Sequence, residues 1–228
     1  MTSPSSEIEI EKKLAAQAAV ELVEDGMVVG LGSGSTAAYA ITLLGERVRN
    51  GLQIHGIPTS KASHQQAIQA GIPLTTLIQT LVDIAIDGAD RFDDQLNLIK
   101  GGGGALLREK IVAAASKRLV IIADSQKRSN PLGGFPVPVE VIPFGWEPVR
   151  VRLETAQLRP QLRMRDALPF MTDEGNYILD LHLDQISSPT ALAAQLRFPG
   201  IVENGLFLGM ASEVFMGQGT SVVRFTNG

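Results

Sequence analysis

Apolar positions recur along the first half of the chain in two alternating spacings. Near the start, Ile10, Leu14, Ala18 and Leu22 keep a helical interval, with Ser6 and Glu9 spaced as a capping box and Gly26 placed to end the helix. The run "MVVGL" then reads as a short buried strand, "GSGST" as a tight turn and "STAAYAITLLGERVRN" as a helix. "LQIHGI" predicts a strand, "SKASHQQAIQAG" a helix closed by Gly71, and "PLTTLI" and "VDIAI" two more strands. A glycine loop leads into the amphipathic "ALLREKIVAAAS", and "RLVIIA" is the next strand. Short apolar strands alternating with helices predict a parallel α/β sheet.

The pattern changes near residue 131, where "PLGGFPVPVEVIPFGWEP" carries five prolines and three glycines in eighteen residues. That density marks a boundary. Beyond it come a helix ("EPVRVRLETAQL"), strands ("QLRMR", "NYILDLHL") and a helix ("PTALAAQLRF"), the outline of a small α+β unit. The final "GLFLGMASEVFMGQGTSVVRF" returns to buried-strand character and is placed to close the first sheet.

Composition narrows the chemistry. The chain has 228 residues, 44% apolar and 19% charged, as in an ordinary globular protein. A net charge of -4 leaves no basic footprint for nucleic acid. With no cysteine, disulfides, thiolate metal sites and thiol nucleophiles are excluded. His55, His64 and His182 lack metal-ligand spacing. The polar, acidic start is unlike a signal peptide, and no apolar run reaches membrane-helix length, so the expectation is a cytoplasmic protein without membrane contact.

Three segments carry candidate chemistry. "GLGSGSTA" joins a strand to a helix, where backbone N–H groups and the helix dipole favour an anion, and Ser33, Ser35 and Thr36 flank Gly34 as hydroxyl donors. Neither dinucleotide nor P-loop spacing is met: Ser35 stands at the third glycine position, and no lysine precedes the Ser-Thr pair. The plainer alternative is a turn in which Ser33 or Ser35 caps the helix. "DIAIDGADRFDD" sets Asp87, Gly88, Ala89 and Asp90 past the carboxyl end of an apolar strand, where open α/β sheets bind ligands. Those aspartates suit sugar hydroxyls or a divalent cation, or else an ordinary turn; Asp93 and Asp94 read as solvated turn residues.

The third segment, "KGGGGALLREK", is the least ordinary. Each glycine costs backbone entropy, so four in a row need a reason. Gly101, Gly102, Gly103 and Gly104 let N–H groups converge on a ligand, Lys100 adds a positive charge, and Glu109 lies on the helix face able to look back at the loop. The alternative is a linker with Glu109 pairing to Lys110 or Lys117, but linkers rarely sit between a strand and a regular helix. Lys127, after "IIADSQ", can reach the same crevice or be simply solvated.

Together "GLGSGSTA", "DGAD", "KGGGGALLREK", "FPVPVEVIP", "TDEGNYILD" and "FPGIVENGLF" resemble, in order and spacing, the type A ribose-5-phosphate isomerases, from about residue 7 to the C-terminus. The resemblance implies a Rossmann-like sheet domain (1–131 and 206–228) with an inserted ferredoxin-like α+β domain (132–205). It implies interconversion of ribose 5-phosphate and ribulose 5-phosphate, in the pentose phosphate pathway or in carbon fixation. It further implies no cofactor or metal, and a homodimer or dimer of dimers. By position, Glu109 resembles the family's catalytic base and Asp87, Asp90 and Lys100 its other active-site groups. Ser33–Thr36, Asp87–Asp90, Lys100–Gly103 and Lys127 resemble its substrate contacts. Departures are Arg91, where glutamate is frequent, Ser33 in place of threonine, and Lys61 in place of an aromatic residue. The competing readings are a noncatalytic sugar-phosphate sensor and a coenzyme A transferase-like enzyme with a glutamate nucleophile.

Overall fold

Helix α1 spans Pro4–Val20 in the computed structural model, which describes residues 4–77 and 81–226. Proline suits a first turn because its missing N–H and fixed φ cost nothing there. Ser6 and Glu9 therefore lie inside the helix instead of forming a capping box, and Glu9 binds Lys12 and Tyr39. The buried face is Glu11, Ala15, Ala16, Ala19 and Val20, one position round from the expected stripe, and Ile10 is 41% exposed. Close approach explains the shift: a Cβ on Gly217 would stand 2.1 Å from the Glu11 carbonyl oxygen, so an alanine face is what fits. The helix stops at Val20, and Gly26 (φ +82°) instead shapes the turn that follows.

Next come β1 (Val28–Leu31), α2 (Ser35–Arg49), β2 (His55–Pro58), α3 (Lys61–Ala70) and β3 (Ile84–Gly88). A reciprocal Ser60–Ser63 capping box starts α3, and left-handed Gly71 ends it as expected. The strand expected at 73–78 shrinks to one parallel bridge between Leu74 and Gly56, because the chain leaves the sheet edge at once; Ile78 lies outside the described residues. Short strands β4 (Arg91–Phe92) and β5 (Leu98–Ile99) flank a turn organised by Asp93. Far from being solvated, Asp93 is buried and accepts from the N–H groups of Gln95 and Asn97 and from the Asn97 amide. Then follow α4 (Leu106–Ala114) and β6 (Leu119–Asp124).

The later elements are β7 (Val137–Val141), α5 (Trp146–Thr155), β8 (Pro160–Leu162), β9 (Met164–Arg165), β10 (Leu168–Pro169), β11 (Tyr177–Leu181), α6 (Pro189–Gln195), β12 (Ile201–Asn204), β13 (Leu206–Phe207), β14 (Glu213–Gln218) and β15 (Ser221–Thr226). The proline-rich stretch is thus more than a boundary, since it contains a strand. In β7, Val137, Val139 and Val141 alternate with Pro138 and Glu140 and are fully buried, a period of two that the prolines mask. The expected "QLRMR" strand divides between β8 and β9.

The main sheet has the order β15-β14-β6-β3-β1-β2, parallel except for β15, so the C-terminal segment does join it. Alternate residues serve opposite faces. Val29, Leu31, Ile84, Ile86, Val120 and Ile122 pack with α1, α2 and α3. Ala85, Leu119, Ile121 and Ala123 pack with Val112 of α4 and with Phe92, Leu98 and Phe207. A separate antiparallel sheet, β12-β7-β11-β8, shares its own core with α5 and α6. Smaller antiparallel sheets are β13-β5-β4 and the β9–β10 pair. Among the described residues no helix is long and apolar enough to cross a membrane.

Candidate active site

Strands β1, β3 and β6 are adjacent and parallel, so the segments leaving their carboxyl ends meet. From β1 the chain goes to β2 on one side and then to β3 on the other, and ligands bind in the crevice opened by such a reversal. A cavity of about 110 Å³ lies there, lined by Ser33, Gly34, Ser35, Thr36, Gly88, Ala89, Asp90, Lys100, Gly101, Gly102, Gly103, Glu109 and Lys127. Every one of these was a candidate from sequence. Asp87 and Gly104 are candidates that do not line the cavity.

Instead Asp87 is buried beneath it. Its Oδ1 accepts from Ser33 N (3.0 Å) and Gly88 N (2.8 Å), and its Oδ2 lies 3.0 Å from Lys100 Nζ. The Lys100 ammonium also donates to the Gly88 carbonyl and lies 3.3 Å from Glu109 Oε2. Lys100 and Glu109 are almost completely buried. Burial alone would pull Lys100 down, but the carboxylates of Asp87 and Glu109 more than offset it and hold the ammonium above its ordinary range. Burial pushes Glu109 up, to about 8, against the pull of Lys100 and with the help of Asp87. Its Oε2 accepts no hydrogen bond of proper geometry among the described residues. A buried carboxylate with a raised pKa, paired with a buried lysine at a cavity wall, has the chemistry of a proton-transfer group. The helical pairing weighed against this does not form, since Lys110 binds Glu203 and Lys117 binds Asp83.

The other carboxylate at the wall, Asp90, accepts from Gly102 N at 2.7 Å and so ties β3 to the glycine loop. Three of the loop's four glycines are required by close approach. A Cβ on Gly101 would meet Leu106 at 2.8 Å, one on Gly102 would meet Asp90 at 2.7 Å, and one on Gly104 would meet the Phe170 ring at 2.4 Å. Gly101 and Gly104 also have φ of +97° and +84°. Gly103 has open space on its Cβ side.

Across the cavity, Gly34 (φ +91°) is the N-cap of α2, and no side chain caps that helix end. Its leading N–H groups are left for an anion. Ser33 does not cap it either. The Ser33 hydroxyl bonds to Thr59 and Ser60 (2.8 Å each), which makes Ser33 a brace for the turn. Lys127 sits on the short turn Ser125–Lys127, which Glu11 anchors by accepting from the Ser125 N–H and hydroxyl.

Several supporting residues escaped the sequence reading: Thr59 and Ser60 behind the turn, Glu11, and Arg163, whose guanidinium reaches the loop carbonyls of Gly101 and Gly102. Gly205 is another. It accepts from Lys100 N and donates to the Pro138 carbonyl, and a Cβ there would stand 2.3 Å from the Lys100 carbonyl oxygen. Its signal was present as the glycine of "ENGLF".

Comparison with known proteins agrees with this geometry. Residues 55–221 match the family model for ribose 5-phosphate isomerase A (phosphoriboisomerase A). A ribose-5-phosphate isomerase A of Ruegeria sp. (strain TM1040) is 51% identical over 234 residues, covering 98% of this chain and 89% of its own. The solved ribose 5-phosphate isomerase A from Methanocaldococcus jannaschii superposes with a TM-score of 0.91 at 41% identity, over 95% of this chain and 98% of that one. A D-ribose-5-phosphate isomerase solved in complex with phospho-erythronic acid gives a TM-score of 0.93 at 39% identity, over 96% and 99%. With about half its residues shared with a relative along nearly its whole length, this chain belongs to the ribose 5-phosphate isomerase A family.

Proposed function

We propose that this protein interconverts D-ribose 5-phosphate and D-ribulose 5-phosphate, the aldose–ketose step of the non-oxidative pentose phosphate pathway, with Glu109 as the proton-transfer base. The observation that carries the assignment of the base is the buried Glu109 carboxylate at the cavity wall, whose Oε2 makes no hydrogen bond among the described residues and faces only the Lys100 ammonium at 3.3 Å. In the open-chain aldose, Glu109 takes the proton from C2. The electrons move toward the C1 carbonyl and give an enediolate. Protonated Glu109 returns the proton to C1, and the hydroxyl proton on O2 moves to O1, so nothing is gained or lost overall. The negative charge that develops on oxygen falls to the Lys100 ammonium and the loop N–H groups.

The two aspartates divide the remaining work in this reading. Asp90, which lines the cavity, handles ring opening and hydroxyl protons. Asp87, below it, fixes Lys100 and the Ser33 turn. The uncapped end of α2 with Ser35 and Thr36 takes the phosphate, and Lys127 adds charge. We further propose that the main sheet and its helices form a Rossmann-like catalytic domain, that residues 132–205 form a ferredoxin-like one, and that the protein works in the cytoplasm as a homodimer or dimer of dimers.

The test is ketose formation from ribose 5-phosphate by the purified protein and by Glu109→Gln. Loss of a general base should lower turnover by about 10²–10⁴-fold. An active wild type with an equally active Glu109→Gln would remove Glu109 from the role. An inactive wild type would overturn the activity itself.

A further inference from the structure

Four consecutive glycines have no side chains with which to fix their own peptide planes. The second sheet supplies the fixing group. Arg163 joins β8 to β9, and its backbone is pinned on both sides: its N–H donates to Ile178 O (2.8 Å) and its carbonyl accepts from Phe170 N (2.8 Å). Its guanidinium forks onto Asp180, with Nε 2.8 Å from Oδ2 and Nη2 on Oδ1. That fork fixes the plane of the group. The remaining Nη1 then donates to two successive loop carbonyls, Gly101 O at 2.9 Å and Gly102 O at 3.0 Å. Both side chains are only 15% exposed.

In a trans peptide the C=O and the following N–H point in opposite directions. Turning Gly101 O toward Arg163 therefore sends the Gly102 N–H the other way, where it meets Asp90 Oδ2 at 2.7 Å. The same rule applied to Gly102 O sends the Gly103 N–H away from Arg163. Gly103 lines the cavity, and among the described residues its N–H has no acceptor. We propose that Arg163, aligned by Asp180, is a positioning residue that aims the Gly103 N–H at the oxyanion of the reacting sugar. Lysine cannot replace it, because an ammonium has no planar fork with which to hold Asp180 and two carbonyls together. The inference rests on the proposed reading of the cavity as the isomerase site, and it gives the second sheet a part in turnover.

The experiment measures kcat and KM for ribose 5-phosphate in Arg163→Met, Arg163→Lys and Asp180→Asn. Inhibition by phospho-erythronic acid and by inorganic phosphate is measured alongside. A planar carboxylate on a phosphorylated acid presents two oxygens as an enediolate does, whereas phosphate alone reports the anion site. Losing an aimed oxyanion donor should lower kcat by about ten- to a hundredfold in both Arg163 variants, with a smaller loss in Asp180→Asn. Phospho-erythronic acid should weaken in proportion, while inorganic phosphate and KM stay within about twofold. Unchanged kcat overturns the proposal, and so does a loss shared equally by both inhibitors, which would mean a generally loosened site. If Arg163→Met does not fold, Asp180→Asn keeps the shape and decides by the same split. Glu109→Gln separates the two levels of the reading. If it is dead while the Arg163 variants are normal, the clamp fails and the site stands. If it is active, the site reading fails first.

Discussion

The Ser33–Thr36 turn and the Gly101–Gly104 loop wall the same cavity but are built in contrasting ways. The turn has one glycine with positive φ and is braced through a side chain of its own: Ser33 is tied to Asp87 through its N–H and to Thr59 and Ser60 through its hydroxyl. Its donors come from the uncapped end of its own helix, α2. The loop has no side chains and is shaped from outside, by Leu106, Phe170 and the guanidinium of Arg163. In the proposed reading the anion site is a property of one helix end, whereas the aim of the glycine N–H groups is borrowed from a distant sheet. Damage to the turn should therefore appear in ground-state affinity, and damage around the loop in turnover and folding.

The largest effect is expected at the loop entrance. Lys100→Met would leave Asp87 and Glu109 buried without their cation, and breaking a buried pair costs roughly 3–5 kcal/mol. Turnover should fall by about 10²–10³-fold, more than affinity for a sugar phosphate falls. Thermal unfolding and steady-state kinetics check both parts. A loss confined to KM would make Lys100 a phosphate ligand and blur the contrast.

Within the loop, Gly104→Ala and Gly103→Ala should behave oppositely. The first forces a Cβ into the Phe170 ring at positive φ, a strain of roughly 1–3 kcal/mol that should lower Tm. The second meets nothing within 4 Å, so Tm should hold while catalysis suffers from a methyl group at the cavity. Equal Tm values for the two would refute the idea that the loop is shaped from outside.

At the turn, Ser35→Ala or Thr36→Ala removes one hydroxyl donor to the phosphate in the proposed reading, worth about 1.5–3 kcal/mol, so KM should rise about tenfold or more with kcat little changed. The result that breaks the comparison is a fall in kcat without a change in KM.

The smallest effect concerns pH. Burial holds Glu109 up, to about 8, and the proposed base works ionised. The kcat/KM profile should therefore rise with pH through a limb above the ordinary carboxylate range and level off beyond it. Lys100 pulls that value down, so the residual activity of Lys100→Met should show the limb moved upward. The stability sign follows from the same shift. A folded pKa above the ordinary carboxylate value of 4.5 favours the fold below that value, and this advantage is lost as pH rises through about 8. Glu109→Gln should remove that decline from a pH series of Tm.

Much of this was legible because it is local in sequence. Glycine runs, strand-to-helix turns and aspartates at a strand end name their own surroundings, and every residue lining the cavity lies in such a segment. What stayed hidden depends on partners far along the chain. The buried face of α1 is set by Gly217, which no periodicity in the helix reveals. Prolines concealed β7, although its alternating valines carried the pattern. Arg163 and Asp180 read as one more basic and one more acidic residue until β8 and β11 pair and bring them to the loop.

The central claim, that Glu109 carries the proton, is tested most directly by isotope exchange. With ribose 5-phosphate in D2O, the wild type should incorporate deuterium at the carbon beside the carbonyl. Glu109→Gln, which keeps the shape of the side chain, should lose that exchange by the same factor, about 10²–10⁴, by which it loses turnover. Exchange continuing at the wild-type rate in Glu109→Gln would contradict the account and move the base to Asp90.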